Sequence, residues 1–138
     1  MAMEHKAEEL KNRTKSFALR IIRLVRALPG GPERRVIGDQ LLRAGTSVAA
    51  NYRAVCRSRS RAEFLANIAV VLEEADESAF WLELLSDAGL VPESRLSALK
   101  GEANELVAIF NASRTTAKKG VQSAINNQKS TIPFQRAS

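Results

Sequence analysis

Residues 43–52 read RAGTSVAANY, residues 53–61 read RAVCRSRSR, and residues 62–85 read AEFLANIAVVLEEADESAFWLELL. The first stretch is helical, small-residued and carries the polar Asn51 on its apolar stripe. The second is a turn with Arg53, Arg57, Arg59 and Arg61 and no acid among them. The third is a long acidic helix. Ser60 and Glu63 stand in the S-x-x-E spacing of a capping box, in which the Ser hydroxyl accepts from the Glu63 amide and Glu63 reaches back to the amide of Ser60.

Working outward, Ile37, Leu41, Ala44, Val48, Asn51 and Val55 step by three and four, which predicts one buried face on a helix over about 33–57. Ala44, Gly45, Ser47, Ala49 and Ala50 let a second helix approach closely, although Gly45 costs ~1 kcal/mol against Ala inside a helix. Upstream, Leu10, Thr14, Phe17, Ile21, Leu24 and Leu28 set the same rhythm over about 6–28. Pro29-Gly-Gly-Pro32 stops that helix. Downstream, Leu65, Ile68, Leu72, Ala75, Ala79 and Leu82 form the stripe of a helix over about 61–88, with Phe64, Val71, Ser78 and Leu85 widening it. Gly89 suits a left-handed stop, with Leu90 packing back on Leu85, and Pro92 suits a helix start.

Leu96, Leu99, Ala103, Leu106, Phe110, Ser113 and Ala117 predict a fourth helix over about 92–119, ended by Gly120. Lys118 and Lys119 there complement the helix dipole. Residues 120–138 read as a polar, mobile tail in which Phe134 stands alone. Short connections make consecutive helices antiparallel neighbours. The expected fold is all-α, an up-down-up-down four-helix bundle over residues 1–119.

The 138 residues fit one domain, and 45% apolar content supports one core. Cys56 is the single cysteine, so no internal disulfide is expected. Residues 1–13 are charged, unlike a secretory leader, and no apolar run approaches ~20 residues. A cytoplasmic location is the expectation. Net charge is +6, unevenly spread: residues 1–61 carry fourteen Lys/Arg against five Asp/Glu, and residues 62–138 carry seven against ten. Such a chain attracts polyanions, or other copies of itself.

The residues Gln40-Leu-Leu-Arg43-Ala44, Ser47-Val-Ala-Ala-Asn51, Arg57, Ser60, Glu63-Phe64, Glu73-Glu-Ala-Asp-Glu77 and Trp81-Leu-Glu-Leu-Leu85 resemble a bacterial four-helix-bundle family. Its members include proteins encoded in intervening sequences of large-subunit ribosomal RNA genes, also labelled S23 ribosomal proteins. The resemblance covers residues 14–118 and extends to accessory proteins of retroelement reverse transcriptases. It implies a non-enzymatic bundle that forms homo-oligomeric rings of five, with nucleic-acid binding proposed for the family. Tyr52-Arg-Ala-Val55 replaces the hydrophobic-Ala-Glu-Gly run that many members carry after the Asn. Residues 29–39 do not mark the accessory branch, which argues against a reverse-transcriptase partner.

Chemistry is sparse. A di-metal bundle site needs Glu-x-x-His pairs, and the sole histidine is His5, so no metal or cofactor is expected from Glu73, Glu74, Asp76 and Glu77. Cys56 and Ser47 lack a base. Arg43, Ser47, Asn51, Glu74 and Glu77 are candidates for a polar network that fixes helix register or subunit pairing. Arg53, Arg57, Arg59 and Arg61 are the leading candidates for phosphate contacts, with Arg20, Arg23 and Arg26 next. Tyr52 is the only nearby aromatic with an exposed edge, so contacts to backbone phosphates rather than base readout are expected. The rival expectation is a self-assembling module in which these arginines meet the Glu73–Glu77 surface of the next copy.

Overall fold

The computed structural model describes residues 2–130, with side chains from 4 to 128. Four helices follow in order: α1 Ala2–Ala27, α2 Pro32–Cys56, α3 Arg61–Asp87 and α4 Glu93–Ser130, with no strand among the described residues. Pro133 and Phe134 lie outside them. Each helix packs on its chain neighbour, and α1 touches α4 least. The backbones of α1 and α3, and of α2 and α4, do not approach each other closely, so each pair lies on a diagonal and meets only through core side chains such as Tyr52 and Phe110. This is the expected up-down-up-down bundle.

The connections form where the residues dictate. Gly31 (φ 141°) leads into Pro32 at the first turn of α2. The Ser60 hydroxyl accepts from the Glu63 amide at 3.1 Å, which is half of the capping box. The reciprocal bond from Glu63 to the Ser60 amide is absent among the described residues. Gly89 is left-handed (φ 71°) and the Leu90 amide donates to the Leu85 carbonyl at 3.0 Å, closing α3 as the sequence predicts. Asn67 ties the α2–α3 turn to α3 by donating to the Ala54 carbonyl at 3.3 Å and the Ser58 hydroxyl at 3.1 Å.

The core runs the length of the bundle through Phe17, Ile21, Leu41, Val48, Leu82 and Phe110. The buried hydroxyls of Thr14 and Ser78 donate to carbonyls of their own helices at 2.8 Å, so they cost the core little. In α3 the buried line is Ile68, Val71, Ala75, Ser78, Leu82 and Leu85. Leu65, Leu72 and Ala79 flank it half-buried, a small rotation from the expected stripe. The bidentate pair of Arg13 with Glu102, both bonds 2.8 Å, joins α1 to α4 and holds the Glu102 carboxyl below its ordinary pKa.

Two expectations are corrected. In α2 the stripe passes through Tyr52, 6% exposed, while Asn51 is half-buried beside it. Tyr52 is therefore no exposed aromatic: its ring lies 5.7 Å from Phe110. The large ring takes the apolar slot because Tyr52 and Asn51 both fall near the face set by Val48, and the ring buries more apolar area. Second, Gly120 does not end α4, which continues to Ser130. Gly120 is not among the glycines with positive φ, so nothing in its backbone breaks the helix.

A Cβ on Gly45 would sit 2.8 Å from Ile21 Cγ1, which is why α1 and α2 can pack so closely there. Ile21 is fully buried and branched at Cβ, so it cannot swing away. Gly45→Ala is expected to destabilise the protein by about 1–3 kcal/mol through overpacking, outweighing the propensity gain. Gly101, with nothing within 4 Å of its Cβ position, gives the control. Gly101→Ala is expected to stabilise by about 0.5–1 kcal/mol. Urea unfolding midpoints of the two variants check both signs.

Candidate nucleic-acid interface

The α2–α3 turn displays its arginines because the helices on either side have used their apolar faces. Arg53, Arg57, Arg59 and Arg61 are all exposed. Arg57 Nε donates to the Arg53 carbonyl at 3.3 Å, which covers the last turn of α2 and keeps the guanidinium outward. None of the four joins an ion pair among the described residues.

Antiparallel packing of α4 on α3 then adds cations that the sequence does not place here. The Arg61 guanidinium lies over Gly120, where a Cβ would approach its Nη1 to 2.2 Å. Gly120 is thus a seat for Arg61 on the surface of a continuing helix. Lys118 and Lys119, adjacent in α4 and exposed, share this end with the turn arginines. Their assignment as helix-terminal residues is superseded: α4 runs eleven residues past Lys119. The only available signal was that no Asp or Glu follows Glu105 in the sequence. Beyond the seat, Arg61, Val121, Ala124, Ile125 and Gln128 line an open depression on α4.

Arg20, Arg23 and Arg26 do not join this cluster. Ile21 packs on Gly45, and Leu28 packs on Gly38. That register puts Arg26 level with about residue 40 of α2, roughly 25 Å along the bundle from Arg57 at 1.5 Å per residue. Arg23 and Arg26 are exposed and Arg20 half-buried, on a separate strip along α1. The same register brings the first turns of α1 to the basic end, where Glu8 pairs with Lys11 at 3.8 Å.

The proposed polar network assembles only in part. Arg43 reaches across from α2 to Glu77 and, at 3.3 Å, to Glu74 on α3. Gln40 accepts from Arg43 at 3.3 Å, and the Trp81 indole N–H donates to Glu77 at 3.3 Å. Ser47 and Asn51 make no side-chain hydrogen bond among the described residues. Both face the half-exposed flank of α2, one turn and two turns beyond Arg43. Glu73 and Asp76 point the other way, into an open groove with Leu72, Val107 and Arg114. No three His, Cys, Asp or Glu side chains among the described residues come together as metal ligands. Burial, with the Cys56 thiol alongside, pushes the Tyr52 phenol pKa up, so that the phenol is not poised as a base. No helix is long and apolar enough to cross a membrane, among the residues described.

Fold and charge together define a four-helix bundle with one cationic end. Residues 6–112 match the model of the 23S rRNA-intervening sequence protein family, and the chain belongs to that family. A solved structure of a protein with unknown function from the S23 ribosomal protein family of Bacteroides thetaiotaomicron is similar at 29% identity and a TM-score of 0.72. The match covers 80% of this chain and 98% of that one. No curated protein matches.

If Gly120 is a seat in a continuous helix, Gly120→Ala should raise stability by about 0.5–1 kcal/mol while the flexible Arg61 side chain shifts aside. Helicity by circular dichroism should be unchanged. A left-handed helix stop at this position would instead make the Ala variant less stable.

Proposed function

We propose that this protein is a non-enzymatic bundle that assembles with copies of itself and binds RNA or DNA through backbone phosphates, without reading base sequence, at the α2–α3 turn. One observation carries the reading. Arg53, Arg57, Arg59, Arg61, Lys118 and Lys119 lie at one end of the bundle, and none is in an ion pair among the described residues. Held on the helices and on the short turn between two of them, such a group of cations releases counterions from a polyanion on contact, which is the main source of sequence-independent affinity. The planar fork of arginine suits phosphate oxygens.

The absence of base readout follows from Tyr52. Its ring is committed to Phe110 and offers no stacking platform to a splayed base. The family's name refers to the intervening sequence of 23S rRNA, which supports a structured RNA as the first polyanion to try. Self-assembly is supported by exposed apolar side chains, Phe80 and Val36 foremost, that a monomer leaves in water.

Binding to a short duplex RNA, followed between about 50 and 200 mM salt, tests this reading. Replacing Arg53, Arg57, Arg59 and Arg61 by Gln should reduce the slope of log affinity against log salt by about three, at 0.7–0.9 per phosphate contact. A variant with unchanged helicity and the parent's slope would contradict the site.

A further inference from the structure

We propose that residues 131–136 turn back along α4 and seat the Phe134 ring on Val121, Ala124 and Ile125, which brings Arg136 to the cationic end as one more phosphate contact. The seat is independent of the function proposed above, and the role of Arg136 rests on it.

α4 outruns its partner. Arg61, the first residue of α3, lies against Gly120, and α4 continues to Ser130. Residues 121–130 therefore overhang the start of α3 by roughly 15 Å at 1.5 Å per residue. The overhang keeps the apolar face of the helix behind it. Ala103, Leu106, Phe110 and Ala117 are buried on that face, and Val121, Ala124 and Ile125 continue it. Out here they meet no helix. Val121 is half-buried, residues 122–128 are exposed throughout, and Ile125 is 40% exposed. With Arg61 and Gln128 they line the open depression beside Gly120. Most helical stability in a protein comes from packing of the apolar face, and nothing among the described residues supplies it here.

The residues that follow Ser130 read TIPFQRAS and lie outside the described ones. Pro133 lacks the amide donor a helix needs and disfavours helical backbone at Ile132, so the sequence turns the chain out of α4 there. Phe134 comes next. The four residues from Ser130 to Phe134 span at most about 14 Å. Ile125 lies roughly 7.5 Å back along the axis from Ser130, and Val121 roughly 13.5 Å. Both are within reach of the ring. Val70, further down α3 from Arg61, is roughly 28 Å away and out of reach.

A second copy is the competing occupant. Three aliphatic side chains on so short an overhang fall far below the ~800 Å² per partner that a specific interface buries. They match one aromatic ring. The short tether also holds Phe134 beside the seat at a roughly millimolar effective concentration.

Seating Phe134 moves a charge. No Asp or Glu follows Glu105, so Arg136 arrives without a counter-charge. Two extended residues past the ring, at about 3.3 Å each, it falls level with Val121, beside Arg61 and Lys118. Cations held that close repel one another until phosphate lies between them. Seating and polyanion binding therefore strengthen each other.

Nuclear Overhauser contacts (NOEs) in the methyl-labelled full chain, without nucleic acid, test the seat. They are expected between the Phe134 ring and the methyl groups of Val121 and Ile125, within one chain. Their absence would overturn the seat. So would their appearance in an isotope-filtered experiment on mixed labelled and unlabelled chains, which reports contacts between copies. Short duplex RNA then tests Arg136. Arg136→Gln should lower the slope of log affinity against log salt by about 0.7–0.9. Ile125→Ser, which leaves every cation in place, should lower it equally at parental helicity. An unchanged slope in both variants would overturn the role of Arg136 and keep the seat. A parent that binds no duplex RNA at low salt would overturn the proposed function and with it the role of Arg136, while the NOEs still decide the seat.

Discussion

The close approach of α1 and α2 at Gly45 sets the register from which the charge layout follows. With Ile21 seated against the Gly45 backbone, Arg20, Arg23 and Arg26 are held level with the middle and start of α2, well away from its end. The seams between α2 and α3 and between α3 and α4 then set the remaining levels. Arg43 meets Glu74 and Glu77, and Arg61 meets Gly120. None of these polar meetings is strong. Exposed ion pairs contribute little, and the apolar seams hold the bundle. The charges go where the seams leave them.

That ordering distributes the charges. Of the α3 carboxylates, Glu74 and Glu77 face the α2 seam and Glu73 and Asp76 the groove beside α4, while Lys15, Arg23 and Arg26 are exposed along α1 and the cations of the α2–α3 turn and late α4 gather at one end. Two other α1 cations are paired: Lys11 with Glu8 at 3.8 Å, and Arg13 with Glu102 and Glu105, at 2.8 Å each, which links α1 to α4 where the helices touch least.

Most of the fold was legible because helix formation and burial follow a short period. The lines through Thr14, Phe17 and Ile21, and through Leu96, Leu99, Ala103, Leu106 and Phe110, appear in the structure as read from the chain. Local stops were legible where a residue has one dominant backbone use, as at Gly89 and Pro32. Reading failed where two residues compete for one slot, since Asn51 and Tyr52 both lie within reach of the face set by Val48. It failed again at Gly120, whose meaning depends on Arg61, 59 positions earlier in the chain. Gly in a helix can mark an end or a close neighbour, and only tertiary register distinguishes them. For the same reason the turn arginines could be named from sequence, but their partners Lys118 and Lys119 could not.

The central claim is that one end of the bundle, built from the α2–α3 turn and the adjoining stretch of α4, is the surface that meets nucleic-acid phosphates. Backbone amide chemical shifts, recorded while a short RNA duplex is titrated into the isotope-labelled protein, test it most directly. The account predicts perturbations concentrated in residues 53–63 and 114–125. Shifts concentrated on the outer faces of α1 or α3, or no shifts at low salt, would contradict it.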